Sequence, residues 1–275
     1  MSHEDKMGQT DLVLDGHIEL AVALADIARQ ILASALDTVL AVEVKPDRSL
    51  VTRIDVEIER QMRGLITARF PGHGIIGEEA GTENAGASHV WVLDPLDGTA
   101  QFIAGMPVYG TLISLAIDGV PALGMIDIPA IDARWIGAAG RRTTKNGRLV
   151  EARCCDALSS AILTNSNQDY LPPDGRPILD ALREKTGARI YGGASLNYGL
   201  LAEGRTDIAL DGGQKVHDFA PFRPIVEGAG GIVTDWEGRP LTLESPGTLL
   251  GAGDPARHRE ALAIIAQCRA EASMP

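Results

Sequence analysis

Along the first quarter of the chain, apolar residues return at helical spacing. Leu20, Leu24, Ile27 and Ile31 share one stripe of the segment from Ile18 to Ala35, and alanine fills much of the rest, which predicts an amphipathic helix. After "KPDRS" a second stripe, Ile54, Ile58, Met62 and Leu65 or Ile66, runs through "LVTRIDVEIERQMRGLITARF". Thr52 is placed to cap that helix, and Asp55 lies in its first turn. The pattern then shortens. "GHGIIGEEAG" has a short apolar core between glycines and predicts a strand whose end carries Glu78 and Glu79 into a loop. "HVWVLD" repeats the plan and delivers Asp94. "YGTLISLAIDGVPALGMIDIPAIDARWIGAAGR" holds three apolar runs separated by "DGVP" and "PAID", the layout of an antiparallel meander. The half from 1 to 150 is therefore expected to set two helices against a largely antiparallel sheet.

Beyond Val150 the pattern becomes one of strands alternating with helices: "SSAILTN", a polar helix near Arg176 to Thr186, "ARIYGG", a short helix, "TDIALDGG", another helix, "GGIVTDWEG", and a terminal helix after Asp254. No linker rich in Pro, Ser or Gly separates this half, 151 to 275, from the first, and there is no internal repeat. One compact unit with an internal cleft is expected, and clefts between sublobes are where small ligands bind.

Composition narrows the possibilities. With 45% hydrophobic and 23% charged residues, the 275-residue chain reads as globular, and its 4% aromatic content with abundant Ala and Gly points to close helix packing. A formal charge of -12 and no Lys/Arg run argue against nucleic acid as a partner. The acidity has two readings, a solvated surface or a site that gathers carboxylates around a cation. Three cysteines, two of them adjacent, suggest no disulfide framework, and a reducing cytoplasm is expected. The polar, acidic start does not resemble a signal peptide, and no apolar run is long enough for a membrane span. None of the six histidines pairs at a spacing of four, and no cysteine pair has zinc-ligand spacing, so a bound metal should be held by oxygen.

"WVLDPLDGT" brings these threads together. Proline fixes φ after Asp94 and glycine permits a sharp turn after Asp97, so the two carboxylates can face one space while the amides of Gly98 and Thr99 become available. Such a pair repels unless one is protonated or a divalent ion intervenes, and Mg²⁺ takes carboxylate, carbonyl and water oxygens, the Leu96 carbonyl included. Taken alone, the motif is equally well a turn. Glu78 at a strand end and Asp218, which within "KVHDFAPF" opens a helix, are further acids at element ends, and four of them look more like a metal site than four separate caps.

In this order and spacing "GEEAG", "WVLDPLDGTAQFIAGMP" and "HDFAPFRPIVEGAGGIVTDWEG", together with "KPDRSLVTRID" ahead of them, resemble the inositol monophosphatase superfamily of metal-dependent phosphatases, over nearly the whole chain. The resemblance implies a layered αβαβα sandwich and Mg²⁺-dependent hydrolysis of a small phosphate monoester by activated water. It implies that Glu78, Asp94 and the Leu96 carbonyl hold one Mg²⁺, that Asp94, Asp97 and Asp218 hold a second, and that Glu78 faces a weaker third. Gly98 and Thr99 match the amides that cradle the phosphate at a helix start. Asp55 matches the partner of Thr99, the two together orienting or deprotonating the water. Lithium sensitivity and a homodimer are implied as well.

The substrate is less sharply marked. Ala194 and Asp211 occupy positions that contact the substrate alcohol in inositol monophosphatases, but the family counterpart of Asp211 is commonly Glu. The central segment resembles the histidinol-phosphate phosphatase branch as much, and that branch carries Gly-Gly-Asp where this chain has "GGA". Inositol 1-phosphate or a similar polyol phosphate is the expected substrate, with histidinol phosphate the alternative. Fructose bisphosphate and 3'-phosphoadenosine nucleotides are remote, for want of a basic pocket for a second phosphate. A non-catalytic homologue would have lost an acid, and none is lost. His217 stands where the family usually has Trp, and Phe219 and Pro221 partly replace small residues; packing or support behind a metal ligand is expected of His217, with contact to the substrate the alternative.

Overall fold

The computed structural model describes residues 3–35, 42–44 and 50–272; Lys45 and Asp47 of "KPDRSLVTRID" lie outside them. Helix α1 (His3–Ala35) is followed by a ribbon of β1 (Val42–Val44) antiparallel to β2 (Leu50–Thr52), and then by α2 (Arg53–Arg69). Helix α1 begins fifteen residues before Ile18: the buried Leu14 extends the stripe by one turn, and the mostly polar residues from His3 to Asp11 carry no apolar period. Helix α2 starts where its cap foretells: the Thr52 hydroxyl accepts from Ile54 N at 3.1 Å, and Asp55 accepts from Thr52 N at 2.9 Å. Ile58, Met62 and Ile66 are fully buried, and each such side chain contributes roughly 1.5–3 kcal/mol.

The first sheet takes in β3 (Gly74–Gly77), β4 (Gly81–Glu83), β5 (His89–Asp97), β6 (Gly110–Ile117), β7 (Val120–Ile128), β8 (Ala133–Ala138), β9 (Thr144–Lys145) and β10 (Arg148–Leu149), with the short helix α3 (Thr99–Ile103) after β5. Its order is β10-β9-β8-β7-β6-β5-β3-β4, and every pairing is antiparallel except β3 with β5. The expected meander is β6 to β8. The β9–β10 hairpin, joined by Asn146-Gly147, was not foreseen, although Asn-Gly between strands is a hairpin signal.

The second half gives β11 (Ile162–Asn165), α4 (Gly175–Lys185), β12 (Ala188–Tyr191), α5 (Leu196–Ala202), β13 (Ile208–Asp211), α6 (Val216–Phe219), α7 (Phe222–Gly228), β14 (Ile232–Thr234), β15 (Leu249–Ala252) and α8 (Pro255–Ala272). The sheet order is β12-β11-β13-β15-β14. Strand β15 was also unforeseen; it inserts between β13 and β14 antiparallel to both, so a sheet that begins parallel ends mixed.

Three apolar clusters define the layers. One joins α1 and α2 to the first sheet, a second fills the space between the sheets around Tyr198, Phe222 and Ile225, and a third lies under α4 and α8 on the far side of the second sheet. The molecule is the expected αβαβα sandwich. Close packing of the middle layer needs glycine: a Cβ on Gly124 or Gly137 would stand 2.1 Å from Pro221 O or 2.3 Å from Pro224 O. The outer layer is fastened by charge, since Arg29 of α1 grips the buried Asp127 of β7 at 2.8 and 2.9 Å while Arg134 of β8 reaches the same carboxylate at 2.7 Å. Among the described residues no helix is long and apolar enough to cross a membrane.

Candidate active site

Strand β5 lies between β3 and β6 and ends in Asp94, Pro95, Leu96 and Asp97. Residues three apart on a regular strand point to opposite faces. Here the pairing slips: Asp94 sits opposite Leu112 and Asp97 opposite Gly110, so two residues of β5 face one of β6. The bulge re-aims the strand, and both carboxylates reach one cavity. Proline suits such a position because it has no N–H to offer the ladder, and its carbonyl accepts from the Thr111 hydroxyl at 2.9 Å. The sharp turn expected at Gly98 is there, at φ 78° and ψ 41°.

Neighbouring elements supply the rest. Glu78 follows β3, the parallel neighbour of β5, and its N–H still donates to Leu93 O at 3.2 Å. Asp218 belongs to α6, where its Oδ2 accepts from Lys215 N at 2.6 Å. Glu78, Asp94, Leu96, Asp97, Gly98, Thr99, Ala194, Asp211 and Asp218 all line a cavity of about 560 Å³, a size suited to a small ligand. Asp55 stands behind it. The Thr99 hydroxyl lies 3.3 Å from Asp55 Oδ1 and 3.0 Å from Leu96 O, and its single proton goes to one or the other.

Burial raises Asp94 well above the usual carboxylate range, and the charges of Glu78, Asp97 and Asp218 raise it further. Asp97 is raised by burial and restrained by the Ser195 N–H, which donates to it at 2.7 Å. Asp218 is pushed up to about 7 by burial, opposed by the Lys215 N–H. Asp55 is raised by burial against the hydrogen bonds from Thr52. Four carboxylates facing one space, with no cationic side chain among the described residues paired to Asp94 or Asp97, are an oxygen-rich donor set that suits a hard divalent cation. Among the described residues no three His, Cys, Asp or Glu side chains are drawn around a single point.

The wall opposite is built by the second half. Ala194 adopts a left-handed φ of 47° and leads into Ser195, whose N–H holds Asp97. Asp211 is buried at the end of β13, where its Oδ1 accepts from Ser166 N at 2.7 Å, Ser166 Oγ at 2.6 Å and Asn165 Nδ2 at 3.1 Å, and its Oδ2 from Tyr198 OH at 3.0 Å. Burial raises its pKa to about 6 against these donors. Tyr198 in turn stacks on Phe222 at 3.8 Å. His217 lines the cavity with its Nε2 3.5 Å from Asp218 Oδ1. Sequence reasoning missed Gln101, Ser166, Asn167, Tyr170, Gln214 and Lys215, which also line it. Ser166 had a signal of the kind used for Glu78, a polar residue just past a strand. A larger cavity of about 790 Å³ near α7 holds none of the expected residues, and its Arg141, Arg142 and Arg223 face Asp15, Glu151 and Glu227 at 2.5, 3.6 and 3.1 Å.

Comparison with known proteins follows the same lines. The model of the "Inositol monophosphatase family" matches residues 14–271. The chain is 36% identical over 271 residues to the "Bifunctional phosphatase IMPL2, chloroplastic" of Arabidopsis thaliana, covering 95% of this chain and 78% of that protein. It is 34% identical to a histidinol-phosphatase of Chlorobaculum parvum, covering 82% and 87%. The solved inositol monophosphatase of Zymomonas mobilis superposes with a TM-score of 0.84 at 39% identity, over 92% of this chain and 98% of that one.

Proposed function

The chain belongs to the inositol monophosphatase family and is a phosphoric monoester hydrolase, and we propose that it hydrolyses inositol 1-phosphate or a similar polyol phosphate with Mg²⁺ and an activated water. The observation that carries this reading is the β5 bulge, which turns Asp94 and Asp97 into one cavity with Glu78 and Asp218. Glu78, Asp94, the Leu96 carbonyl, Asp97 and Asp218 would hold two or three Mg²⁺ ions. Bound there, the ions supply neutralisation for the phosphate dianion and for the departing alkoxide.

The protein's own groups do the rest. The amides of Gly98 and Thr99 open α3, where no preceding turn can use them, and they receive phosphate oxygens. The Thr99 hydroxyl donates to Asp55 and in return accepts the proton of the attacking water, which Asp55, more basic than an ordinary carboxylate, draws onward. Ala194 and Asp211 bound the space for the leaving alcohol. Ala194 lacks the acid that the histidinol-phosphate phosphatase branch carries at its position, which favours a polyol, and leaves Asp211 as the acid on that wall. Histidinol phosphate is the second reading, supported by the likeness to a histidinol-phosphatase. Inhibition by Li⁺ and a homodimeric state are part of the proposal on the strength of the family resemblance, and a cytoplasmic location on the strength of three cysteines that suggest no disulfide framework; the charge of -12 supports a small-molecule partner over nucleic acid.

The test is phosphate release with Mg²⁺ from inositol 1-phosphate, histidinol phosphate, fructose 1,6-bisphosphate and 3'-phosphoadenosine 5'-phosphate, compared by kcat/KM. Preference for inositol 1-phosphate is expected. Preference for histidinol phosphate would transfer the assignment to the second reading, and undiminished turnover in EDTA would refute the metal mechanism.

A further inference from the structure

Helix α2 carries a second buried carboxylate one turn beyond Asp55. Glu59 is 1% exposed and shares the face of Asp55, four residues earlier. It does not line the cavity. Its Oε2 accepts from Glu79 N at 2.7 Å, and its Oε1 from Ala80 N at 3.0 Å and Arg63 Nε at 2.8 Å. Arg63 also donates to Gly81 O. These are the backbone groups of the turn that starts at Glu78 and joins β3 to β4, with Gly77 paired to Gly81 across it. The carboxylate needs Gly77 bare: a Cβ there would stand 2.1 Å from Glu59 Oε1. Glu78 is thereby held on one side by the β5 ladder and on the other by two N–H groups locked to a charged acceptor on a rigid helix.

We propose that Glu59 is a positioning residue for metal binding, clamping the turn after Glu78 so that the Glu78 carboxylate faces Asp94. The proposal rests on the reading that Glu78 holds a divalent cation. Helix α2 then spaces two parts of the machinery from one rigid body, Asp55 behind Thr99 and Glu59 behind Glu78. Groups that orient a metal ligand without touching the metal typically change affinity by about ten-fold or more when removed.

Mn²⁺ binding to the purified protein, measured by calorimetry and by loss of the free-ion spin-resonance signal, tests this without reference to turnover. Glu59→Gln is expected to bind Mn²⁺ at least about ten-fold more weakly, with kcat largely recovered at saturating Mg²⁺. Gly77→Ala, which displaces Glu59 by its own methyl, should show the same loss. Asp235→Asn is the structural control: Asp235 caps a turn in the same way, accepting from Glu237 N and Arg239 N at 2.9 Å each, but lines neither cavity. It should lower the melting temperature and leave Mn²⁺ affinity unchanged. Wild-type affinity in Glu59→Gln and Gly77→Ala, or an equal loss in Asp235→Asn, would overturn the proposal. Asp94→Asn separates the two ideas: if it abolishes binding while Glu59→Gln does not, the positioning role fails alone, and if it too binds as wild type, the metal reading has failed and this proposal with it.

Discussion

Asp218→Asn is expected to stabilise the metal-free protein at alkaline pH while removing its response to Mg²⁺. Burial, with the charges of Asp97 and Glu78 behind it, holds the Asp218 carboxyl at about 7 rather than 3.8. For an acid so raised, the fold prefers the protonated form: the stabilisation is complete below the unfolded value and is lost as pH climbs through the folded one. A displacement of about three pH units is worth roughly 4 kcal/mol once the group is ionised, near about pH 8. The amide would weaken the cap on Lys215 N–H, which returns roughly 1 kcal/mol. The net gain of about 3 kcal/mol is a rise in Tm of about 6 °C, at about 2 °C per kcal/mol for a chain of this length. Calorimetric melts in EDTA at about pH 4 and about pH 8 should therefore show the variant level with or slightly below its parent at the acid end and above it at the alkaline end. Excess MgCl₂ should reverse the alkaline order, because binding stabilises only a protein that can bind. A variant that melts below its parent in EDTA at both pH values would refute the idea that burial and the neighbouring carboxylates disfavour the ionised Asp218.

Three further outcomes are expected. Asp55→Asn should lower kcat by roughly 10²–10⁴ with KM little changed, because the amide can still orient Thr99 but cannot take its proton; an unaltered kcat in steady-state assays would remove Asp55 from the reaction. Ala194→Asp should fold normally, since Asp tolerates the left-handed φ of 47° better than Ala, and should raise the kcat/KM ratio of histidinol phosphate to inositol 1-phosphate by about ten-fold or more; an unmoved ratio would mean that this wall does not meet the leaving group. Asp127→Ala removes the buried acceptor shared by Arg29 and Arg134 and leaves them Asp132 and Asp26, and urea unfolding should show a loss of about 1–3 kcal/mol, with no measurable loss contradicting a role for Asp127 in fastening the helix.

Local patterns were legible wherever a few neighbouring residues decide the outcome. Thr52 and Asp55 close a cap within four residues, so the start of α2 could be read directly. Strands β6 and β7 read as apolar runs rather than alternating ones because helices cover both faces of their sheet. Strand β15 was hidden because four residues, Leu249 to Ala252, acquire their meaning only from β13 and β14 on either side. The same limit applies to Asp211, whose placement opposite Ser166, Asn165 and Tyr198 joins three separate segments.

By itself the sequence singled out four acids, Glu78, Asp94, Asp97 and Asp218, and the order of the elements that carry them, since residue type and spacing are covalent facts. Their convergence was decided by the tertiary structure. Three residues along a regular strand would have sent Asp94 and Asp97 to opposite faces, and only the slipped register against β6 brings them to one side. Strand register and the hydrogen bonds of Ser195 to Asp97 and of Glu59 to the turn at Glu79 join residues 98 and 20 positions apart. Such contacts form only when sheets and helices pack, because their geometry comes from the partner segment and not from the local chain.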